Sequence, residues 1–233
     1  MTEKRPLNFT LFLLRLLSGV VGGVAGTLAT FVVYFILLSV LPKGDEATSI
    51  SVFTIIIMAF VGTLIANTIT AVMLTFMDAQ KYSRKKTTIT QVFIFNLVLF
   101  FLTIPLYMLA VALDITNGVV ALHFLLSAFV SMLIMEILAG YEYSLLGIYS
   151  AAFGIFLSIS LAFIVLASGA SPLTITLGAM PTVWVILMVV SGFAELIYDN
   201  FIRYYGVDAL NAQTDLGGDK EIEAKEEDEE EEK

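Results

Sequence analysis

The sequence predicts an all-α, polytopic integral membrane protein: a bundle of six transmembrane helices with both termini cytoplasmic. Three observations predict it. Hydrophobic residues make up 58% of the 233 residues and charged ones 14%, where a soluble domain is nearer about half and about a quarter. Six apolar runs are each long enough to cross a hydrocarbon core of about 30 Å, which takes roughly 20 helical residues. Lys and Arg collect in alternate gaps between those runs. Helices are what such runs can form. An open strand leaves its backbone unsatisfied in lipid, and the alternation of a barrel strand is missing.

The first run, near 12–40, follows Lys4 and Arg5. It is too long for the apolar core of a signal peptide, about 7–15 residues, so an uncleaved anchor is expected. The second, near 51–77, follows the turn residues Pro42-Lys43-Gly44-Asp45. The third, near 89–112, follows the basic stretch Lys81-Tyr82-Ser83-Arg84-Lys85-Lys86. The fourth, near 119–139, follows Asp114-Ile115-Thr116-Asn117-Gly118. The fifth, near 145–167, follows a turn expected at 140–144. The sixth, near 173–198, follows Ser168-Gly169-Ala170-Ser171-Pro172. Lys4, Arg5, Lys81, Arg84, Lys85, Lys86 and Arg203 fall on one side of the membrane in this arrangement, against Lys43 on the other. Short-loop bases mark the cytoplasmic side, so both termini belong there, and an even number of spans follows.

The formal charge of −9 splits unevenly along the chain. Residues 208–233 hold 12 acids and 3 lysines, whereas residues 1–207 hold 9 acids and 9 bases. The expected organisation is therefore a neutral membrane domain over 1–207 and an acidic, disordered, cytoplasmic tail over 208–233. The tail is a candidate docking segment for a basic protein partner. A chain with one short basic loop, Lys81, Arg84, Lys85 and Lys86, is not a nucleic-acid reader. That loop serves topology, with attraction to anionic headgroups as a consequence. The bilayer itself is the expected surrounding.

Small residues recur at helical spacing. Ser18, Gly22 and Gly26 form one set, Gly19, Gly23 and Thr27 a second, and Gly147, Ser150, Ala151 and Gly154 a third. Such faces let helices approach where lipid offers no hydrophobic drive, and they can also seat a second copy of the chain. In the second run Gly62, Asn67 and Thr70 share a face, and Asn96 lies in the third. These four are either a packing face or a narrow polar path between helices. Pro105 and Pro181 can each kink a helix.

Three ionisable residues lie near the cytoplasmic ends of spans: Arg15, Glu136 and Glu195. Each is roughly 5–10 Å below the surface at 1.5 Å per residue, within snorkelling reach. The expectation is an intramembrane ion pair of Arg15 with Glu136 or Glu195, against the alternative of three side chains reaching water separately. His123, the one histidine, begins a stripe with Ser127 and Ser131 and reads as a packed or interfacial residue. With no cysteine and one histidine, no metal site, cofactor or catalytic residue is expected, and the chain does not read as an enzyme.

Gly140-Tyr141-Glu142-Tyr143-Ser144, then Gly147-Ile148-Tyr149-Ser150-Ala151-Ala152-Phe153-Gly154, resembles the Ypt-interacting-protein family of small multi-span membrane proteins, as do Trp184 and Gly192 in the last run. The likeness covers residues 119–200, with Phe153 standing where the family carries a proline. It implies a non-enzymatic adaptor or membrane-organising role, with Rab-type GTPases as partners of the eukaryotic members. The functional expectation is a scaffold or adaptor in the cytoplasmic membrane of a prokaryote or an endomembrane of a eukaryote. The alternative is a small-solute or ion transporter using the polar small-residue path.

Overall fold

A computed structural model of the chain describes residues 9–40, 47–172, 174–176, 183–184, 186, 188–190 and 192–193. The chain divides into two units, Asn8–Ala194 and Met1–Leu7 with Glu195–Lys233. The second unit lies outside the described residues, and so do the acidic tail, Glu195, Arg203 and the bases Lys4 and Arg5. Lys43 and Pro181 also fall outside them.

The described residues form helices and connections, with no strand among them. Five helices are complete: α1 (Phe9–Val40), α2 (Ala47–Met77), α3 (Lys85–Ala112), α4 (Thr116–Ala139) and α5 (Tyr141–Ser168). All five are long and apolar enough to cross a membrane. In the sixth run the described residues, from Pro172 to Phe193, are helical. Their assembly into a complete sixth span belongs to the proposal below.

All five helices start three or four residues earlier than the apolar runs suggest, and α3 and α5 show why. α3 begins at Lys85, so Lys86, Thr87 and Thr88 form a polar first turn. A helix end at the interface needs hydrogen bonds and not apolar side chains, so apolarity alone places it too late. α5 begins at Tyr141, and the turn expected over 140–144 shrinks to Gly140. Gly140 has φ 156° and ψ 161°, a region essentially reserved for glycine. One residue without a Cβ reverses the chain where five were expected.

The α3–α4 connection is equally short. The Ile115 N–H donates to the Ala110 carbonyl at 2.9 Å and the Asp114 N–H to the Val111 carbonyl at 3.3 Å. This is the Schellman pattern, with the left-handed C′ position taken by Asp114 at φ 58°. Asp tolerates that conformation better than most side chains. α5 ends at Gly169, left-handed at φ 67°.

α4 is the centre of the bundle: 61% of its most apolar window is buried, against 12% in α5 and 22% in α1. α4 packs on α2, α3 and α5, while α1 packs on α2. Phe124, Ala128, Phe129, Met132 and Met135 of α4 join Ala59, Ala66 and Leu74 of α2 and Trp184 and Met188 in one core.

Glycines set the closest approaches. A Cβ added to Gly22 would strike Thr70 Oγ1 and lie 2.8 Å from the Ala66 carbonyl, so α1 crosses α2 nearly backbone to backbone. Gly19 meets the Trp184 carbonyl and Met188 in the same way, and Gly154 lies under the Phe129 ring. The small-residue faces around Gly19, Gly22, Gly147 and Gly154 are thus occupied by neighbouring helices of the same chain.

Candidate functional site

The middle of the bundle holds a buried polar network. Asn67 stands near the middle of α2, Asn96 in α3 and Ser127 in α4, and Trp184 approaches from the sixth run. The Trp184 indole N–H donates to Asn67 Oδ1 at 3.1 Å. Asn67 Nδ2 donates to Asn96 Oδ1 at 2.8 Å and to Ser127 Oγ at 2.7 Å. The Ser127 hydroxyl donates to Asn96 Oδ1 at 2.7 Å. Asn96 Nδ2 donates to the Val92 carbonyl at 2.8 Å and to Ser131 Oγ at 2.9 Å.

The direction of this network follows from its ends. An indole N–H can only donate, so Asn67 must turn its oxygen toward Trp184 and its amide protons toward α3 and α4. A helix carbonyl can only accept, so Asn96 must turn its amide protons toward Val92 and Ser131. The two side chains then meet oxygen to nitrogen. Asn96 uses both protons and both lone pairs, and Asn67 uses both protons and one lone pair. Each bond of this kind between helices in lipid is worth about 0.6–2 kcal/mol.

The sequence singles out Gly62, Asn67, Thr70 and Asn96, and the structure divides them. Asn67 and Asn96 bond directly. Gly62 is buried in α2, five residues before Asn67. Thr70 lies at the crossing with α1, its hydroxyl in the space left by the missing side chain of Gly22. Ser127 and Ser131 appear in the sequence only as a stripe behind His123. Trp184 appears there only through the family resemblance.

A charged layer lies at the end of the bundle where α1 starts and α2 and α4 finish. Lys81 Nζ pairs with Glu136 Oε2 at 2.6 Å, and the Tyr82 hydroxyl donates to Glu136 Oε1 at 3.0 Å. Arg15 Nη2 pairs with Asp78 Oδ2 at 3.6 Å. Lys81 ties the two pairs together, because its backbone N–H donates to Asp78 Oδ1 at 3.4 Å. Arg15, Lys81, Tyr82 and Glu136 are buried. Among the described residues the two bases and two acids of this layer balance, which favours its burial in a low-dielectric setting.

Sequence reasoning pairs Arg15 with Glu136 or Glu195. In the structure Glu136 closes on Lys81 and Tyr82, Arg15 closes on Asp78, and Glu195 lies outside the described residues. Asp78 carries its own signal in the sequence. It directly follows the C-terminus of α2, where the helix dipole disfavours an acid, so it needs a cation beside it. The basic loop also divides. Lys81 turns inward, Arg84 and Lys86 are exposed, and Lys85 Nζ lies 4.7 Å from the centre of the Phe76 ring.

The remaining features are few. His123 is packed in the core, its Nε2 3.4 Å from Thr63 Oγ1. A groove of about 240 Å³ runs between the start of α4 and the end of α5, lined by apolar groups including Leu122, Ala162 and Phe163 over Gly118. Among the described residues no three His, Asp or Glu side chains gather as metal ligands. Compared with known proteins, the chain matches no family model, no curated protein and no solved structure.

Proposed function

We propose that the chain is a six-span integral membrane protein with both termini cytoplasmic, acting as a non-enzymatic scaffold or adaptor. On this reading, residues 208–233 are a docking segment for a basic partner. The observation that carries it is the engaged state of the mid-membrane network. Asn96 has no hydrogen-bonding capacity left over, and the donors of Asn67 are both taken. A path for a polar solute needs groups free to replace the solute's hydration, whereas a locked network serves to fix helix register. The likeness of residues 119–200 to the Ypt-interacting-protein family points the same way, toward an adaptor.

Affinity capture from detergent extracts, with the full chain and with residues 208–233 removed, tests the docking role. Partners that depend on the tail support it, and an identical partner set with and without the tail would remove it. Osmotic swelling of proteoliposomes in glycerol or urea tests the transport alternative. The scaffold reading expects the swelling rate of empty vesicles. Faster swelling, abolished by Asn67→Leu, would favour a solute path.

A further inference from the structure

Nδ1 of His123 in α4 and the hydroxyl of Tyr107 in α3 are among the buried polar atoms with no hydrogen-bond partner among the described residues. The two residues are 3% and 0% exposed. Their ring centres are 5.8 Å apart at an interplanar angle of 49°, so the rings lie side by side. Orphaned polar atoms are costly in a protein interior and more so within a bilayer, so the pair needs an explanation.

The chemistry of each atom follows from its neighbours. Thr63 has a single hydroxyl proton, and it is directed to the Phe60 carbonyl at 3.0 Å. At the 3.4 Å contact with His123 Nε2, Thr63 Oγ1 can then only accept. Nε2 therefore carries the imidazole proton, and Nδ1 presents a bare lone pair. Tyr107 brings a hydroxyl that can donate and accept. A lone pair and a hydroxyl thus belong to neighbouring buried rings, with Phe124 edge-on to His123 and no bond between the two polar atoms.

We propose that His123 and Tyr107 together hold one water molecule in the core, which donates to Nδ1 and bonds to the Tyr107 hydroxyl. The occupant is neutral. Among the described residues, Glu136 is 13 residues from His123, about 20 Å at the helical rise, and Asp114 is exposed in the α3–α4 connection nine residues before His123, so neither carboxylate is buried beside the pair to balance a cation. The occupant is small, because both residues are closed off from outside. A polar pair that accepts and donates is the setting in which a buried water is retained.

Because His123 is the sole histidine, ¹⁵N spectra of histidine-labelled full-length protein in lipid report on this one ring. The expected result is a protonated Nε2, a bare Nδ1 and magnetisation transfer to the ring from a long-lived bound water. Tyr107→Phe should weaken that transfer and lower the melting temperature by about 2–4 °C or more. A proton on Nδ1, or a ring with no water contact in the unmodified protein, would overturn the proposal. So would a Tyr107→Phe variant that melts at the same or a higher temperature, since removing a dry, orphaned hydroxyl relieves a cost. The two spectral readouts need no substitution and stand even where the variant folds poorly.

Discussion

Glu136 holds two partners at once, and its loss is the most informative single change. Glu136→Gln keeps the shape and can still accept from Tyr82, but it takes the Glu136 charge away from the buried Lys81 ammonium. Breaking a buried pair from one side costs about 3–5 kcal/mol, whereas replacing both partners with apolar groups is often neutral. Thermal unfolding in detergent should show a large loss for Glu136→Gln and substantial recovery for Glu136→Leu combined with Lys81→Met. Equal loss in the single and double variants would mean that the charge pair is not what holds this end. Asn67→Leu belongs to the same scale. It removes bonds to Trp184, Asn96 and Ser127, and a destabilisation of about 2–3 kcal/mol is expected from the strength of such bonds in lipid.

At the scale of elements, the helices are ended and spaced by a few backbone positions. Asp114 occupies a left-handed C′ position that glycine fills without steric cost. Asp114→Gly should therefore leave stability unchanged or raise it by up to about 1 kcal/mol, while Asp114→Val should lower it by about 1–2 kcal/mol. Gly22 governs the crossing of α1 and α2. Gly22→Val would drive a side chain into Thr70 and the Ala66 carbonyl, and since the obstacle is partly backbone, the helices themselves must separate. A loss of about 2 kcal/mol or more is expected, readable as a lower melting temperature. Gly22→Ala should fall between the two.

At the scale of the whole molecule, orientation is the open quantity, and the absence of cysteine makes it easy to read. Lys86→Cys places a thiol in the exposed first turn of α3, and Asp114→Cys places one in the exposed α3–α4 connection. With both termini cytoplasmic, an impermeant maleimide applied from outside intact cells should label Asp114→Cys and spare Lys86→Cys. The reverse pattern would invert the proposed topology.

The bilayer requirement is a local one: enough consecutive apolar residues to cross the hydrocarbon. That is why the five complete helices, and the polar residues lodged inside them, were legible from the chain alone. Arg15, Glu136, Asn67 and Asn96 stood out because a polar group in such a run is costly. Partner choice is not local. Asn67 meets Asn96 across 29 residues and Trp184 across 117, so each bond depends on how three or four helices are rotated and staggered. Periodicity reports the face of one helix and not which face it meets. Lys81 shows the limit most plainly. Its place in a basic loop predicts a solvent-facing charge, and only the packing of α2 against α4 brings Glu136 close enough to draw it inside.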